Sequence, residues 1–125
     1  MSAWESQPAH IIVGREGEEL ALGYVKSKGL HVLERNVRVG RDEIDAICRD
    51  PIDDVLVFLE VKTRSHSSLD FPALFAAGEM KLEKIRRAAR RWMAEHNYDG
   101  GARIDVVCVE RGKVTTHLVE CDWDE

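Results

Sequence analysis

Residues 42–64 leave this chain few ways to fold. Two apolar runs, Asp42-Glu43-Ile44-Asp45-Ala46-Ile47-Cys48 and Val55-Leu56-Val57-Phe58-Leu59-Glu60-Val61-Lys62-Thr63-Arg64, flank the turn cluster Asp50-Pro51-Ile52-Asp53-Asp54. Runs rich in β-branched and large apolar residues about such a cluster are the two strands of a hairpin. Side chains alternate faces along a strand, so Glu60 and Lys62 point the same way, about 7 Å apart along the backbone. Glu43 and Asp45 share a face in the same manner. A hairpin therefore brings Asp45, Glu60 and Lys62 close together on one side of a sheet. Burying two carboxylates and an ammonium beside apolar strands costs free energy unless they have partners. Such a cluster marks a candidate site.

The rest of the chain supports a single folded domain. At 125 residues it is long enough for one substantial core. Its 44% hydrophobic and 33% charged residues are those of a globular protein outside the membrane. No apolar run approaches the ~20 residues needed to cross a bilayer. The N-terminus lacks a charged start followed by an apolar segment, so a cytoplasmic location is expected. Cys48, Cys108 and Cys121 are odd in number and lack the close pairs of a zinc site, which reads as reduced thiols. Cys48 and Cys108, inside strand-like runs, belong in a core. The net charge of −5 argues mildly against nucleic acid as a partner. Charge is nevertheless segregated: Lys81, Lys84, Arg86, Arg87, Arg90 and Arg91 face only Glu83, whereas Glu120, Asp122, Asp124 and Glu125 close the chain.

In chain order, residues 1–12 show no periodicity and read as a mobile arm ahead of a domain spanning 13–119, with 120–125 an acidic tail. Gly17, Leu20, Ala21, Tyr24 and Val25 recur at helical spacing within Gly14–Lys28, and Gly29 supplies a C-terminal cap. Glu18 lies on the edge of that stripe, where an acid is a solvated flank or a member of the site. Leu30–Arg38 is a first strand, so three strands form a meander. After a loop at residues 66–72, Glu79–Asn97 is the clearest helix, with Leu82, Ile85, Ala88, Ala89, Trp92, Met93 and His96 as its apolar stripe. Lys84, Arg87 and Arg91 line one flank and Lys81 opens its first turn. That flank is either a solvated basic face or one that tracks phosphates. Arg103–Glu110 and Lys113–Val119 are two further strands about Arg111-Gly112. Asp105, between apolar neighbours, calls for a salt bridge. The αβββαββ order predicts an α/β fold: a mixed five-stranded sheet with helices packed on it.

The spacing Asp45-x14-Glu60-x-Lys62 has a chemical rationale. Two converging carboxylates suit Mg²⁺ or Mn²⁺, hard ions that prefer oxygen ligands. The metal would stabilise charge on a phosphoryl oxygen, and a lysine two residues beyond the glutamate can orient water or stabilise developing charge.

Gly14-x-x-Gly17-Glu18-x-x-Ala21-x-x-Tyr24, Gly29, Arg35-Asn36-x-Arg38, Glu43-Ile44-Asp45, Phe58-Leu59-Glu60-Val61-Lys62-Thr63-Arg64, Lys81 and Arg103-Ile104-Asp105-Val106-Val107 follow in order. In this combination the chain resembles the YraN family of bacterial proteins over roughly residues 14–119. That family is similar to restriction-endonuclease-like proteins with a PD-(D/E)xK site and to Holliday junction resolvases. The resemblance implies a metal-dependent nuclease acting on DNA, branched or structured DNA included. Asp45 and Glu60 would hold Mg²⁺ or Mn²⁺, Lys62 would assist the attacking water, and Glu18 would join them from the first helix. Arg64, Lys81, Lys84, Arg87 and Arg91 would hold the nucleic acid, and cutting both strands of a junction would call for a homodimer. Asp42 and Asp70 stand where the family usually has glycine. Both departures, with the negative net charge, favour the alternative: a nucleic-acid-binding or scaffold protein that keeps the fold without turnover.

Overall fold

In the computed structural model, residues 9–64 and 82–121 are described, with side chains from Arg15 to Thr63 and from Leu82 to Cys121. Helix α1 (Ala9–Ser27) leads into strands β1 (His31–Val39), β2 (Asp42–Asp50) and β3 (Val55–Arg64). Helix α2 (Glu83–Glu95) precedes β4 (Ala102–Glu110) and β5 (Lys113–Cys121). Helix α1 begins five residues before the expected Gly14 and so takes in the end of the expected N-terminal arm; residues 1–8 lie outside the described residues, as do 122–125 of the acidic tail.

The five strands form one mixed sheet in the order β1-β2-β3-β4-β5. Each sequence-adjacent pair is antiparallel except β3–β4, which runs parallel with Leu56 opposite Ala102 and Arg64 opposite Glu110. A parallel pair needs a crossover connection, and α2 lies within it. The turn from Asp50 to Val55 is closed by its own first residue. Asp50 Oδ1 accepts the Ile52 amide at 2.9 Å, which sets the register in which Asp50 faces Val55.

Alternation in the strands produces two separate apolar layers. On one face Ala21, Leu22 and Val25 of α1 pack against Ala46, Cys48, Val57, Leu59, Val107 and Val109. On the other, Ile85, Ala88 and Ala89 of α2 pack against Ile47, Phe58, Ile104, Val106 and Cys108. Phe58 meets Trp92 edge to face at 5.9 Å. Central strands buried on both sides read as near-continuous apolar runs, which explains the composition of β3 and β4. All three cysteines are free and buried. His96, assigned from periodicity to the buried stripe of α2, is exposed instead; it follows the last helical residue and stacks on Trp92 with ring centroids 4.0 Å apart.

Gly17 sets the approach of α1 to the sheet. A Cβ there would lie 2.0 Å from Thr63 Cγ2, so only glycine lets the helix lie on the end of β3. The next residue, Glu18, is thereby held beside the same strand end.

Asp105 is fully buried in β4, and the salt bridge expected for it is present. Arg103 Nε donates to its Oδ1 at 3.0 Å, His117 Nε2 lies 2.9 Å from its Oδ2, and the Glu120 amide donates to Oδ1 at 2.9 Å. Burial opposes ionisation of Asp105, yet the bonds from His117 and Arg103 outweigh it and hold the acid below the usual carboxylate range. Arg103 also reaches Asp50 Oδ2 at 2.8 Å, tying β4 to the β2–β3 turn.

Candidate functional site

The register of β2 and β3 builds the site. Their ladder runs from Asp50–Val55 to Ala46–Leu59 and stops, so the next two residues, Asp45 and Glu60, stand opposite each other where the strands part. The Asp45 side chain takes over there: its Oδ2 accepts the Val61 amide at 2.7 Å. A backbone donor that would otherwise lose its partner is satisfied by a carboxylate.

Glu60 and Lys62, two residues apart on one face, form an ion pair with Lys62 Nζ 3.1 Å from Glu60 Oε2. Both line a cleft of about 540 Å³ between β2, β3 and the start of α2, together with Asp42, Glu43, Glu83 and Lys84. Of the expected trio, Glu60 and Lys62 meet in the cleft, while Asp45 stands opposite Glu60 at the strand end and is not among the cleft's lining residues.

The electrostatics of this strand end are lopsided. Burial, and after it the Glu60 carboxylate, push Asp45 up to about 7; Glu18 and Glu43 add to the rise, and the Val61 bond opposes it. Glu18 is half-buried on α1, and burial, followed by Glu43, raises its pKa, with Arg35 pulling it back. Beyond burial, Glu60, Glu18 and Glu43 thus raise Asp45 at a strand end where Lys62 is paired with Glu60 and Arg35 acts on Glu18. Glu18 joins the field of the site from the first helix. Sequence reasoning gives Glu43 no role beyond its motif, and its influence on both Asp45 and Glu18 emerges only from the structure. Its place two residues before Asp45, on the same face, is the signal that points to it.

These acids repel without closing on a common point. Among the described residues no three Asp, Glu, His or Cys side chains are gathered tightly enough to hold a metal ion as they stand. The donor set nonetheless fits a hard dication by its chemistry. It is entirely carboxylate oxygen, Mg²⁺ is characteristically bound through one or two carboxylates while keeping several waters, and the Val61 bond uses one of the two Asp45 oxygens.

The basic flank of α2 is largely committed to the turn between β1 and β2. Arg87 donates from Nε and Nη2 to the two oxygens of Asp42, both at 2.7 Å. The side-chain bond to Arg87 holds Asp42 below the usual carboxylate range and raises Arg87 in turn. One turn later the Arg91 guanidinium lies against Gly40, so closely that a side chain at position 40 would displace it, and its Nε donates to Glu95 at 3.0 Å. Lys84 lines the cleft. Lys81 and the Arg64 side chain lie outside the described residues. Asp42, read from sequence only as an added charge near the site, proves to be the partner of Arg87.

Fold and site together define an α/β domain with a five-stranded mixed sheet between two helices and an acid-rich, lysine-containing cleft at one end of β3. Comparison with known proteins gives the family. The uncharacterised protein family UPF0102 matches residues 17–109, and the chain belongs to it. It is similar to a UPF0102 protein of Beutenbergia cavernae, with 41% identity covering 86% of this chain and 90% of that one. A UPF0102 protein of Cytophaga hutchinsonii is 33% identical, covering 89% and 96% of the two chains. One of Streptomyces coelicolor is 46% identical over 78% and 75%. The matched segment takes in every strand from β1 to β3, the whole of α2 and all but the last residue of β4.

Proposed function

We propose that this protein is a metal-dependent nuclease hydrolysing DNA phosphodiesters, with branched or structured DNA among its substrates. The observation that carries the reading is the arrangement at the parting of β2 and β3. There an Asp45 carboxyl pushed up to about 7 stands opposite Glu60, and Glu60 is paired with Lys62 at the wall of an open cleft. Unbalanced carboxylates with raised pKa values are what a cation site looks like when its charge is counted without the cation.

In this reading Asp45 and Glu60 hold Mg²⁺ or Mn²⁺, with Glu18 supporting from α1. The bound dication supplies Lewis-acid stabilisation of charge building on a phosphoryl oxygen. The Val61 amide fixes the orientation of Asp45. Lys62 holds Glu60 before substrate arrives and offers its ammonium to the charge that develops during hydrolysis. Burial and the Glu60 carboxylate, with smaller contributions from Glu18 and Glu43, raise Asp45, so a dication there would have to displace a proton to be held. Symmetric cutting of a four-way junction would take two such sites, hence a homodimer.

The test is cleavage of linear, flap and four-way DNA with Mg²⁺ or Mn²⁺. Activity lost in Asp45→Ala and Glu60→Ala, with folding and DNA binding retained, is the expected result. Native protein that binds Mn²⁺ no better than Glu60→Ala would sink the reading. A second reading, a nucleic-acid-binding or scaffold protein without turnover, is favoured by the Asp42–Arg87 pair, which occupies a guanidinium that a phosphate would use.

A further inference from the structure

The Asp42–Arg87 pair is more than a brace. Its geometry is fork to fork, two parallel N–H···O bonds of 2.7 Å, the arrangement by which a guanidinium also grips a phosphate. The Asp42 side chain is almost wholly buried at the edge of the cleft, while that of Arg87 is 45% exposed. Arg87 also borders a second depression of about 390 Å³ on α2, shared with Glu83, Arg86 and Arg90. The pair therefore lies between the acid–lysine cleft and an arginine-rich groove, and its cation is reachable from solvent.

We propose that Asp42 is an internal competitor for the phosphate backbone: it occupies the Nε–Nη2 edge of Arg87, and DNA gains that two-bond edge only by displacing it. The inference rests on the nucleic-acid reading above and concerns how tightly the site holds its substrate. A phosphodiester entering the groove meets Arg87 from its exposed side and offers the same two-oxygen edge that Asp42 offers from the sheet. The exchange replaces one charge-assisted pair by another, so the native chain gains less from Arg87 than an unopposed arginine would provide. Asp42 thereby weakens DNA binding without touching the acids at the strand end.

Removing any carboxylate favours a polyanion in general, so the test is a double-substitution cycle. Native protein, Asp42→Asn, Arg87→Gln and the double variant are titrated with one fluorescent DNA duplex at several salt concentrations, with Asp54→Asn as a charge-matched control. One additional phosphate contact steepens the salt slope by about 0.9 and tightens binding roughly five- to tenfold near 0.1 M salt. Asp42→Asn should show both changes and Asp54→Asn neither in full. Arg87→Gln should weaken binding more in the Asp42→Asn background than in the native one. Equal effects of Arg87→Gln in both backgrounds would overturn the proposal while leaving DNA binding, and the nuclease reading, intact. Absence of DNA binding by all of these proteins would overturn both. Should Asp42→Asn unfold, the native protein answers by NMR: the Arg87 Nε–H resonance should shift on adding duplex, and an unmoved resonance under saturating DNA also refutes the competition.

Discussion

Asp45 Oδ2 accepts the Val61 amide at 2.7 Å, one step beyond the last bridged pair of β2 and β3. This bond keeps the strands registered as they separate, and it fixes a carboxylate among three other acids. Its consequences can be measured.

The first is a pH dependence of stability. Asp45 titrates at about 7 in the folded chain, well above its ordinary value of 3.8, so between those values the folded state binds the proton that the unfolded state has shed. Stability from this group is fullest below about pH 4 and falls as pH rises towards 7. Asp42, Asp50 and Asp105, all shifted down, act in the opposite sense and lose their contribution only in stronger acid. Thermal unfolding should therefore show a higher Tm near pH 5 than near pH 8, by on the order of 2 kcal/mol in stability. Asp45→Asn should flatten that slope. A slope unchanged in the variant would assign it to other groups.

Metal should act on the same group. Millimolar Mn²⁺ at pH 8 should raise the Tm of the native chain by mass action, and the increase should vanish in Asp45→Asn and Glu60→Gln. Since the ligand must be deprotonated, apparent affinity should fall by up to about tenfold per pH unit below 7. Calorimetric titration at pH 6 and pH 8 measures this directly; equal affinities at the two values would show that Asp45 is not a ligand.

Helix docking offers a steric prediction. Gly17→Ala places a methyl 2.0 Å from Thr63 Cγ2, and overpacking of this kind costs about 1–3 kcal/mol. Chemical denaturation should reveal the loss, and Glu18 should move away from the acid cluster with its helix. Thr63→Ser deletes the clashing methyl, so the double variant should recover most of the stability. No recovery would mean that Gly17 serves some purpose other than close approach.

The buried network around Asp105 predicts a larger effect. Asp105→Ala strands the Arg103 guanidinium, the His117 ring and the Glu120 amide, and breaking a buried pair by removing one partner costs about 3–5 kcal/mol. Urea unfolding should register a loss of that size. A deficit below about 1 kcal/mol would indicate that Asp50 alone satisfies Arg103.

Much of this architecture is legible from residue order. The turn residues Asp50 to Asp54 and the β-branched runs beside them fix the hairpin, and β1, β4 and β5 fall within two residues of their expected ends. The helix expected over 79–97 announces itself by the spacing of Ile85, Ala88 and Ala89, all buried as periodicity requires. It spans only Glu83–Glu95, capped by Leu82 and His96, with 79–81 outside the described residues. His96 breaks the pattern because a residue past the helix end no longer obeys helical geometry. The start of α1 escapes notice because Ala9-His10-Ile11-Ile12-Val13 has a single polar position and so no repeat from which to read a period.

Local patterning, then, determined the strands, the helices and which acids share a face, since alternation and helical repeat are properties of neighbouring residues. Only the folded chain decided that Arg87 closes on Asp42, 45 positions away, that Gly17 seats α1 on Thr63, and that Asp45 titrates near neutrality. Those outcomes depend on burial and on through-space distances between charges, quantities that exist only once remote segments have been packed together.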